Sequence, residues 1–549
     1  MRLHCSAAFW VWAFLAATTP LSIYAKQGGR QGRRRKLVAS KDCTIMAVEA
    51  LSVEGGEDPD MILECEMHPD DADGISNMAY PLDATPAQLN ELRGLIESGE
   101  VQPGDDQLDI VGVEITDKKK KKIKIPPQTD ITAKVKKNNS KTNKDKNRRR
   151  LVSTTGDLKM LLVKVYDVDG KTFPDSAATM SDEVFGTGSD QNNLKSGLEK
   201  CSWNQLNVVV GNNDENEAAQ GVIEVNISIS LVGKSRDTIR NAVTTAVQTK
   251  LGITLPGPYN YVLYSLESCY GSECGWAAYA YINSWNSVYQ NHYYKMPGAL
   301  MHELGHNFGL AHSGGLDGQT YTDHTCTMGN PHYSDEGFQC FNPAKNFQLN
   351  WYNPAKITED PRVNGYYKTL TLVGIGEYNK ALSASIATAT SANMINPVTV
   401  RLETGGGADY FVGFNRAAGP NSLNDEGDNQ VTIIQVDGNN GLSYSQSYLR
   451  ARLSAGQSHN ISNFGGTGKT VTITVNSINI ATLPGKAVVT ITDNTAPAPT
   501  NPPTSPPTKP PTSPPTSPPT LPPTPNPTPP PAPIQPPTPM PTNANPPQW

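Results

Sequence analysis

Histidine, aromatic residues and long apolar runs are all sparse in this chain of 549 residues. Histidine accounts for 9 positions, and aromatic residues make up 7% of the sequence. No run after residue 25 approaches the roughly 20 apolar residues that a membrane-spanning helix requires, so we expect no membrane anchor in the mature chain. The net charge of −6 is close to balance, so bulk electrostatics selects no class of partner.

The first 25 residues have the pattern of a signal peptide. Arg2 precedes an apolar run, Ala7–Ala17, and the small residue Ala25 offers a cleavage point. The run is too short to span a membrane. We therefore predict that residues 1–25 are a signal peptide and that the protein is secreted.

A cluster of histidines is the most informative stretch of the sequence. His302 and His306 are four residues apart, so on a helix they share one face. Gly309 lies where the chain must leave that helix, and glycine tolerates the positive φ of such a turn. The turn can bring His312 back as a third ligand. Three neutral imidazoles with an open fourth position are typical of a catalytic Zn²⁺ site.

Glu303 is predicted to be the catalytic base. It follows His302 directly, so its carboxylate lies beside the metal-facing side and can take a proton from a water that the metal activates. The alternative is that these are ordinary helix histidines. Histidine occupies about one position in sixty here, so three histidines, a glutamate and a glycine in register favour the metal site.

Met328 lies sixteen residues beyond His312, in a turn-rich segment. The pattern H-E-x-x-H-x-x-G-x-x-H followed by a methionine turn is the signature of metzincin proteases. In that role Met328 provides an apolar, polarisable floor beneath the imidazoles. The alternative is a methionine that fills an ordinary gap in the core.

Three stretches narrow the resemblance further: His302–His312, Cys326–Gly329 and Cys340–Trp351. With them the chain resembles the gametolysin family, peptidase family M11, which includes matrix metalloproteases of volvocine green algae. The resemblance covers residues 155–495. It implies a secreted zinc endopeptidase that hydrolyses peptide bonds of hydroxyproline-rich wall or matrix glycoproteins. The implied fold is an α+β metzincin-like protease domain.

Residues 26–150 are predicted to be a propeptide with a basic linker. Strand-like stretches at 44–48 and 108–115 are enough for a small β domain. Residues 118–150 are charged with little to bury, which predicts an exposed, flexible linker. Nucleic acid is the rival partner for these lysines, and secretion argues against it.

The linker ends in Lys146–Arg150, a dibasic cleavage sequence, so we expect a processing protease to act near Arg150. A propeptide can keep a zinc protease inactive by placing a thiolate at the open coordination position. Cys43 and Cys65 are the candidates, and they can equally pair with each other. The sequence around neither one matches the cysteine switch of animal matrix metalloproteases.

Residues 151–358 are predicted to be the catalytic domain. Alternating and apolar stretches predict strands, and longer polar-apolar stretches predict helices; the strands are 158–166, 205–210, 222–231, 261–266 and a group within 275–285, and the helices are 189–201 and 235–251. In metzincins generally, an extended peptide adds to a sheet edge beside the metal. We expect one edge strand here to bind substrate in that way.

The C-terminal part divides into an all-β region and a low-complexity tail. Residues 359–495 contain alternating segments separated by Gly and Asn turns, which predict a β-sandwich-like domain; it is either a matrix-binding module or structural support. Residues 496–549 hold more than half of the 45 prolines. They predict a polyproline II stalk that either associates with the matrix or acts as a passive spacer.

Cysteine pairing and two minor features stay open. Five cysteines fall in the catalytic region, an odd number, and short spacings suggest Cys269–Cys274 and Cys326–Cys340 as pairs. Two Asn-x-Ser sequons fit a glycoprotein. Tyr333 is the tyrosine nearest to Met328 that we consider for oxyanion stabilisation, although its offset is long.

Two other functions compete with the zinc endopeptidase. One is a structural Pro-rich matrix glycoprotein carrying an inactive protease-like domain, and the intact His302, Glu303, His306 and His312 argue against it. The other is an esterase or amidase that uses the same metal-activated water.

Overall fold

The computed structural model describes residues 42–52, 61–67, 78–110, 114–116, 122–137, 153–211, 215–269, 274–331, 334, 337, 339–353, 355–377 and 396–495. The predicted signal peptide, the processing sequence and the Pro-rich tail lie outside these residues. The chain divides into two units, residues 1–497 and 498–549, and the description that follows concerns the first. Within the described ranges no helix is long and apolar enough to cross a membrane.

The N-terminal region, residues 42–137, contains short strands and two helices. The strands are β1 (Asp42–Ser52), β2 (Ile62–Glu66), β3 (Ala79–Asp83), β4 (Gln107–Asp109), β5 (Glu114–Thr116), β6 (Lys122–Lys124) and β7 (Val135–Lys136), and the helices are α1 (Pro86–Glu97) and α2 (Ile131–Lys134). Helix α1 begins where a capping box allows it, because the Thr85 side chain accepts from the backbone N–H of Gln88 while the Gln88 side chain accepts from the N–H of Thr85.

The central region, residues 153–353, carries most of the helices that the structure describes. Its strands are β8 (Gly156–Tyr166), β9 (Leu206–Val210), β10 (Val222–Asn226), β11 (Tyr261–Leu266), β12 (Trp276–Tyr281), β13 (Asn286–Gln290) and β14 (Ser313–Gly314). Its helices are α3 (Ala177–Phe185), α4 (Leu194–Cys201), α5 (Arg236–Leu251), α6 (Pro297–Asn307) and α7 (Pro343–Gln348). Helix α6 starts at a proline, which suits the first turn because that turn has no partner for its N–H groups.

The C-terminal region, residues 355–495, is built of strands. They are β15 (Lys356–Glu359), β16 (Tyr367–Val373), β17 (Thr399–Leu402), β18 (Tyr410–Asn415), β19 (Gln430–Val436), β20 (Ser447–Leu453), β21 (Ser458–Ile461), β22 (Val471–Asn479) and β23 (Lys486–Thr492). One sheet has the order β14-β20-β19-β18-β17-β15, and another has the order β16-β23-β22-β21. Apolar side chains from both sheets share one buried cluster.

A large mixed sheet joins the N-terminal and central regions. Its order is β10-β8-β11-β13-β12-β1-β2-β3-β6-β5, with β9 beside β8 and β4 beside β1. Strands β10, β8, β11 and β13 run parallel, and β12 is antiparallel to β13. Strand β1 then pairs antiparallel with β12 on one side and with β2 on the other. The N-terminal strands therefore extend the central sheet.

The predicted mixture of helices and strands is present, but the N-terminal region differs from its prediction. Part of the predicted flexible linker, residues 122–137, is packed: β6 pairs with β3, and Ile123, Ile125 and Ile131 are buried. Isolated isoleucines among the lysines supply enough apolar surface to anchor this short segment. The composition of the linker is polar overall, so a prediction based on composition did not identify these isoleucines as buried.

The cysteine pairing also needs correction. The structure joins Cys201 to Cys340 and Cys269 to Cys274, and it leaves Cys326 buried with a free thiol. The suggested Cys326–Cys340 pair is therefore wrong, whereas the Cys269–Cys274 pair is present. Burial raises the pKa of the Cys326 thiol to about 12, so this side chain is a protonated core residue at physiological pH.

Candidate metal centre

Helix α6 and the turn after it place the three predicted histidines. His302 and His306 occupy one face of the helix, which ends at Asn307. Gly309 then adopts φ 81°, a left-handed conformation that suits glycine. The backbone N–H of Leu310 donates to the carbonyl oxygen of Gly305, at 2.9 Å. This closure turns the chain back so that His312 faces the helix.

The three imidazoles converge through their Nε2 atoms. The Nε2 atom of His306 lies 3.2 Å from that of His302 and 3.0 Å from that of His312. One ligand atom from each histidine lies within 4.8 Å of the others. Among the described residues, this is the group of three or more potential ligands that can hold a metal ion.

The hydrogen bonds at Nδ1 of the imidazole rings indicate which ligand the three Nε2 atoms suit. The Nδ1 atoms of His302 and His306 lie 2.8 and 3.0 Å from the carbonyl oxygens of Thr327 and Leu310. A carbonyl oxygen only accepts, so Nδ1 carries the proton and each Nε2 presents a lone pair. Lone pairs facing each other at about hydrogen-bond distance repel, and a cation between them removes the conflict. The residues therefore fit a metal ion.

Burial keeps the imidazoles in the neutral form that a metal requires. The exposed fraction is 0% for His302 and His306 and 3% for His312. Burial lowers the pKa of His302 to about 4, although the hydrogen bond to Thr327 opposes the shift. Burial and the neighbouring imidazoles hold the pKa values of His306 and His312 well below the usual range.

Glu303 is the buried carboxylate of the helix that carries two of the three histidines. It lies on α6 directly after His302, and its side chain is fully buried. Tyr289 on the neighbouring strand β13 is close enough to feel its charge, since both burial and Glu303 raise the pKa of the tyrosine hydroxyl. Glu303 is therefore a buried carboxylate on the helix that carries His302 and His306.

Met328 packs beneath the helix at the level of the two helical histidines. It is fully buried. A Cβ atom added at Gly305, between His302 and His306, would lie 2.3 Å from the Met328 sulfur. The absence of a side chain at Gly305 is thus what lets the thioether approach the helix backbone between the two histidines.

A buried polar network fixes the segment that follows His312. Ser313 Oγ donates to Asp323 Oδ2 at 2.6 Å, and Asn342 Nδ2 donates to Ser313 Oγ at 2.9 Å. Ser447 of β20 donates to the same Ser313 oxygen at 2.9 Å. The C-terminal region therefore supports the third histidine through side chains that are themselves buried.

Two residues near His312 were missed by sequence reasoning. The ring of Tyr321 lies 4.0 Å from the imidazole of His312, measured between centroids. Glu49 of β1 has Oε2 3.9 Å from His312 Nδ1 and accepts a hydrogen bond from Tyr444 at 2.7 Å. Neither has a local sequence signal, because both reach the site through the tertiary fold. The predicted Tyr333 lies outside the described residues.

The proposed thiolate switch is absent from the N-terminal region as the structure describes it. Cys43 and Cys65 form a disulfide between β1 and β2. Neither sulfur is then a free thiolate that can bind a metal. Of the two possibilities that the sequence left open, the structure has the disulfide.

Three converging imidazoles, with a buried carboxylate on the helix that carries two of them, define a candidate metal centre. The sequence matches the gametolysin peptidase M11 family over residues 160–463. This match spans more than half of the chain, and the protein therefore belongs to that family. The predicted family is confirmed, and membership implies a metallopeptidase.

Two solved structures show a distant similarity. Crystal structures of wild-type OgpA from Akkermansia muciniphila, in two crystal forms, each align with a TM-score of 0.28 and 11% identity. They cover 56% and 55% of this chain and 97% and 96% of their own chains. A similarity of this size carries no argument about fold or function. No curated protein matches the chain significantly.

Proposed function

We propose that this protein is a secreted, zinc-dependent metalloendopeptidase, made as a zymogen, that hydrolyses peptide bonds of hydroxyproline-rich wall or matrix glycoproteins. The observation that carries the proposal is the convergence of three Nε2 lone pairs, with the buried Glu303 directly after His302 on the same helix. His302, His306 and His312 would hold the ion. Bound Zn²⁺ would polarise the scissile carbonyl group and acidify the attacking water.

In this proposal Glu303 transfers protons, and the hydrogen-bond partners of the imidazoles keep the metal-binding nitrogens available. Glu303 accepts a proton from the attacking water and delivers it to the leaving amine nitrogen. The carbonyl oxygens of Thr327 and Leu310 hold the tautomers of His302 and His306, so that Nε2 stays available. In this proposal the buried Met328, which packs against α6 at Gly305, is the apolar floor beneath the imidazoles.

We also infer the finer organisation of the chain. The strands from β8 to β13, together with α5 and α6, suit a metzincin-like catalytic domain, since β12 runs antiparallel at the side of an otherwise parallel set. The two C-terminal sheets suit a β-sandwich-like module. The Pro-rich sequence of residues 496–549 suits an extended stalk in an extracellular matrix.

Proteolysis of a Pro-rich wall glycoprotein tests the function. The secreted chain, processed near Arg150, should cleave the glycoprotein, and Glu303→Gln should lower the rate by about 10²–10⁴-fold with zinc content unchanged. A chelator should abolish cleavage, and added zinc should restore it.

Matched variants separate the roles of the residues. His306→Ala should lose zinc and activity together, whereas His459→Ala, on a C-terminal strand, should change neither. If processed wild type with stoichiometric zinc leaves every Pro-rich glycoprotein and peptide intact, the endopeptidase proposal is wrong. The structural matrix glycoprotein would then be favoured, and ester or amide hydrolysis would point to a different zinc hydrolase.

A further inference from the structure

The side of β12 that faces away from β13 is filled by the N-terminal strand β1. Their register pairs Val48 with Tyr281 and Ala50 with Tyr279. The ladder continues past the end of β12, where the N–H of Ile282 donates to the carbonyl oxygen of Ala47 at 2.9 Å. Apart from Asp42, every residue of β1 is buried. Strand β1 is therefore a fully covered strand, and β12 has no free edge.

We propose that β1 occupies the peptide-binding edge of β12, so that residues 42–137 keep the intact chain inactive until this strand leaves and an extended substrate takes its place. The proposal rests on the function proposed above and deepens it. Strand addition is recognised mainly through backbone hydrogen bonds, so a strand of the same chain and a strand of a substrate can use the same edge.

The side chains of β1 alternate between two environments, as a bound peptide would. Val48 and Ala50 enter the apolar cluster that contains Trp276 and Tyr279 of β12. Glu49 points the other way, toward His312 and Tyr444. The edge of β12 thus offers an apolar surface that accepts small aliphatic side chains, and it places the intervening residue beside the metal centre.

The N-terminal region also covers the approach to the centre. The cleft that His312 and Tyr321 line is also lined by Glu49, Met61 and Glu97 of the N-terminal region. Glu303 and the two helical histidines are fully buried in this arrangement. A polypeptide has to reach these atoms to be hydrolysed, so part of the cover has to move.

A buried ion pair fastens the N-terminal strands to the central region. Arg240 of α5 has no exposed surface, and its Nη2 atom lies 3.0 Å from Glu66 Oε1 of β2. Its guanidinium group also lies over the rings of Tyr281 and Trp285, at 5.0 and 5.1 Å from their centroids. Glu64 of β2 accepts from the Tyr281 hydroxyl at 2.9 Å.

These contacts join the N-terminal region to the central region, so they must break when the N-terminal region is released. The carboxylates belong to the N-terminal region, and their partners belong to the central region. Removing one member of a buried charged pair at an interface costs several kcal/mol, so Glu66→Gln should loosen the N-terminal region without touching the metal centre.

The test uses the full secreted chain with Arg148–Arg150 replaced by the recognition sequence of an unrelated site-specific protease. Zinc content, hydrolysis of a Pro-rich peptide and hydrogen exchange of the amides at 276–282 are measured before cleavage, after cleavage, and after the N-terminal fragment is separated. The intact, zinc-loaded chain should be inactive with protected amides. Separation should give activity and faster exchange of those amides within 276–282 that pair with β1, such as that of Ile282.

Glu66→Gln and Lys137→Gln form the matched pair of variants. Lys137 pairs with Asp106 at 3.2 Å, within the N-terminal region itself. After cleavage, Glu66→Gln should retain the fragment about 30-fold less tightly than wild type, and Lys137→Gln should retain it as wild type does.

Three results decide the matter. Equal hydrolysis by the intact and separated forms would overturn the proposal, and so would protection of the β1-facing amides that survives removal of the fragment. Separated, zinc-loaded protein that gains exchange at β12 but cleaves nothing would overturn the peptidase function and still support occupation of this edge by β1.

Discussion

The N-terminal and C-terminal regions both contact the segment around His312, but they are joined to the central region by different forces. The N-terminal region adds a strand through backbone pairing and one buried ion pair. The C-terminal region is joined by a short ladder of two residue pairs, between β14 and β20, and through buried side chains, such as Ser447 on Ser313 and Lys345 on the carbonyl oxygen of Ser445. A backbone ladder accepts another strand, whereas a buried side-chain network accepts only its own partners. The N-terminal junction therefore suits the exchange of one strand for another, whereas the C-terminal junction suits a permanent attachment.

The largest expected effect comes from breaking the buried ion pair of the N-terminal junction. Arg240→Met leaves Glu66 without its cation in a largely buried position, which should lower the unfolding free energy by about 3–5 kcal/mol. Urea unfolding of the intact chain measures this. Arg452→Met is the control in the C-terminal region, because the Arg452–Glu426 pair is 33% and 20% exposed. It should cost less than about 1 kcal/mol. Equal losses would contradict the importance of burial.

The two junctions should respond to pH in opposite directions. Burial raises the pKa of Glu64 from 4.5 to about 7, so between these values the folded chain holds a proton that the unfolded chain has lost. Stability should therefore fall as pH rises from 4.5 to 7. Burial lowers the pKa of Lys345 from 10.5 to about 8, so the unfolded chain holds the extra proton and stability should rise from pH 8 to 10.5.

Urea unfolding from pH 4.5 to 10.5 measures how the unfolding free energy changes with pH. Each of the two slopes should be at most about 1.4 kcal/mol per pH unit. Glu64→Gln should flatten the fall between pH 4.5 and 7 and leave the rise intact. Lys345→Met should do the reverse. A fall that persists in Glu64→Gln would assign it to another carboxyl group.

A smaller effect is expected from substituting helical glycines, one in the central region and one in the N-terminal region. Gly305→Ala should cost about 1–3 kcal/mol and weaken zinc binding, because the new methyl group meets the Met328 sulfur. Gly94→Ala in α1 has no atom within 4 Å of the added Cβ, so it should be neutral or stabilise by up to about 1 kcal/mol. Unfolding and zinc titration measure both. If Gly305→Ala binds zinc as tightly as wild type, the packing of Met328 beneath the helix does not support the metal centre.

The smallest effect concerns the C-terminal junction. Ser447→Ala removes the hydrogen bond to Ser313 and should cost about 1 kcal/mol, with a small loss of zinc affinity. Ser458→Ala removes an exposed hydroxyl that bonds to Thr474, and it should change stability by less than about 0.5 kcal/mol. Identical behaviour in unfolding and zinc titration would show that the network behind His312 is dispensable.

Much of the central fold follows from local pattern. Alternation predicted the strands that became β8, β9 and β11, and the helix predicted at 235–251 is α5. The predicted strand at 222–231 ends early, at Asn226, and the predicted helix at 189–201 begins only at Leu194, where Asn193 caps it. Strand boundaries and strand partners depend on neighbours that local pattern does not contain.

The sequence by itself determined the arrangement of the histidines. The four-residue spacing of His302 and His306, the glycine at 309 and the return at His312 are all set within eleven residues by helix period and turn geometry. Local rules suffice there because the atoms that must meet are close in the chain.

Only the tertiary structure decided what surrounds that centre. The pairing of β1 with β12, the contact of Arg240 with Glu66 across 174 residues and the Cys201–Cys340 disulfide across 139 residues join segments with no shared periodicity. Many strands and several cysteines were available, and packing selected among them. The physical reason is that such contacts form only when distant segments bury surface together, and local sequence preference carries no record of that choice.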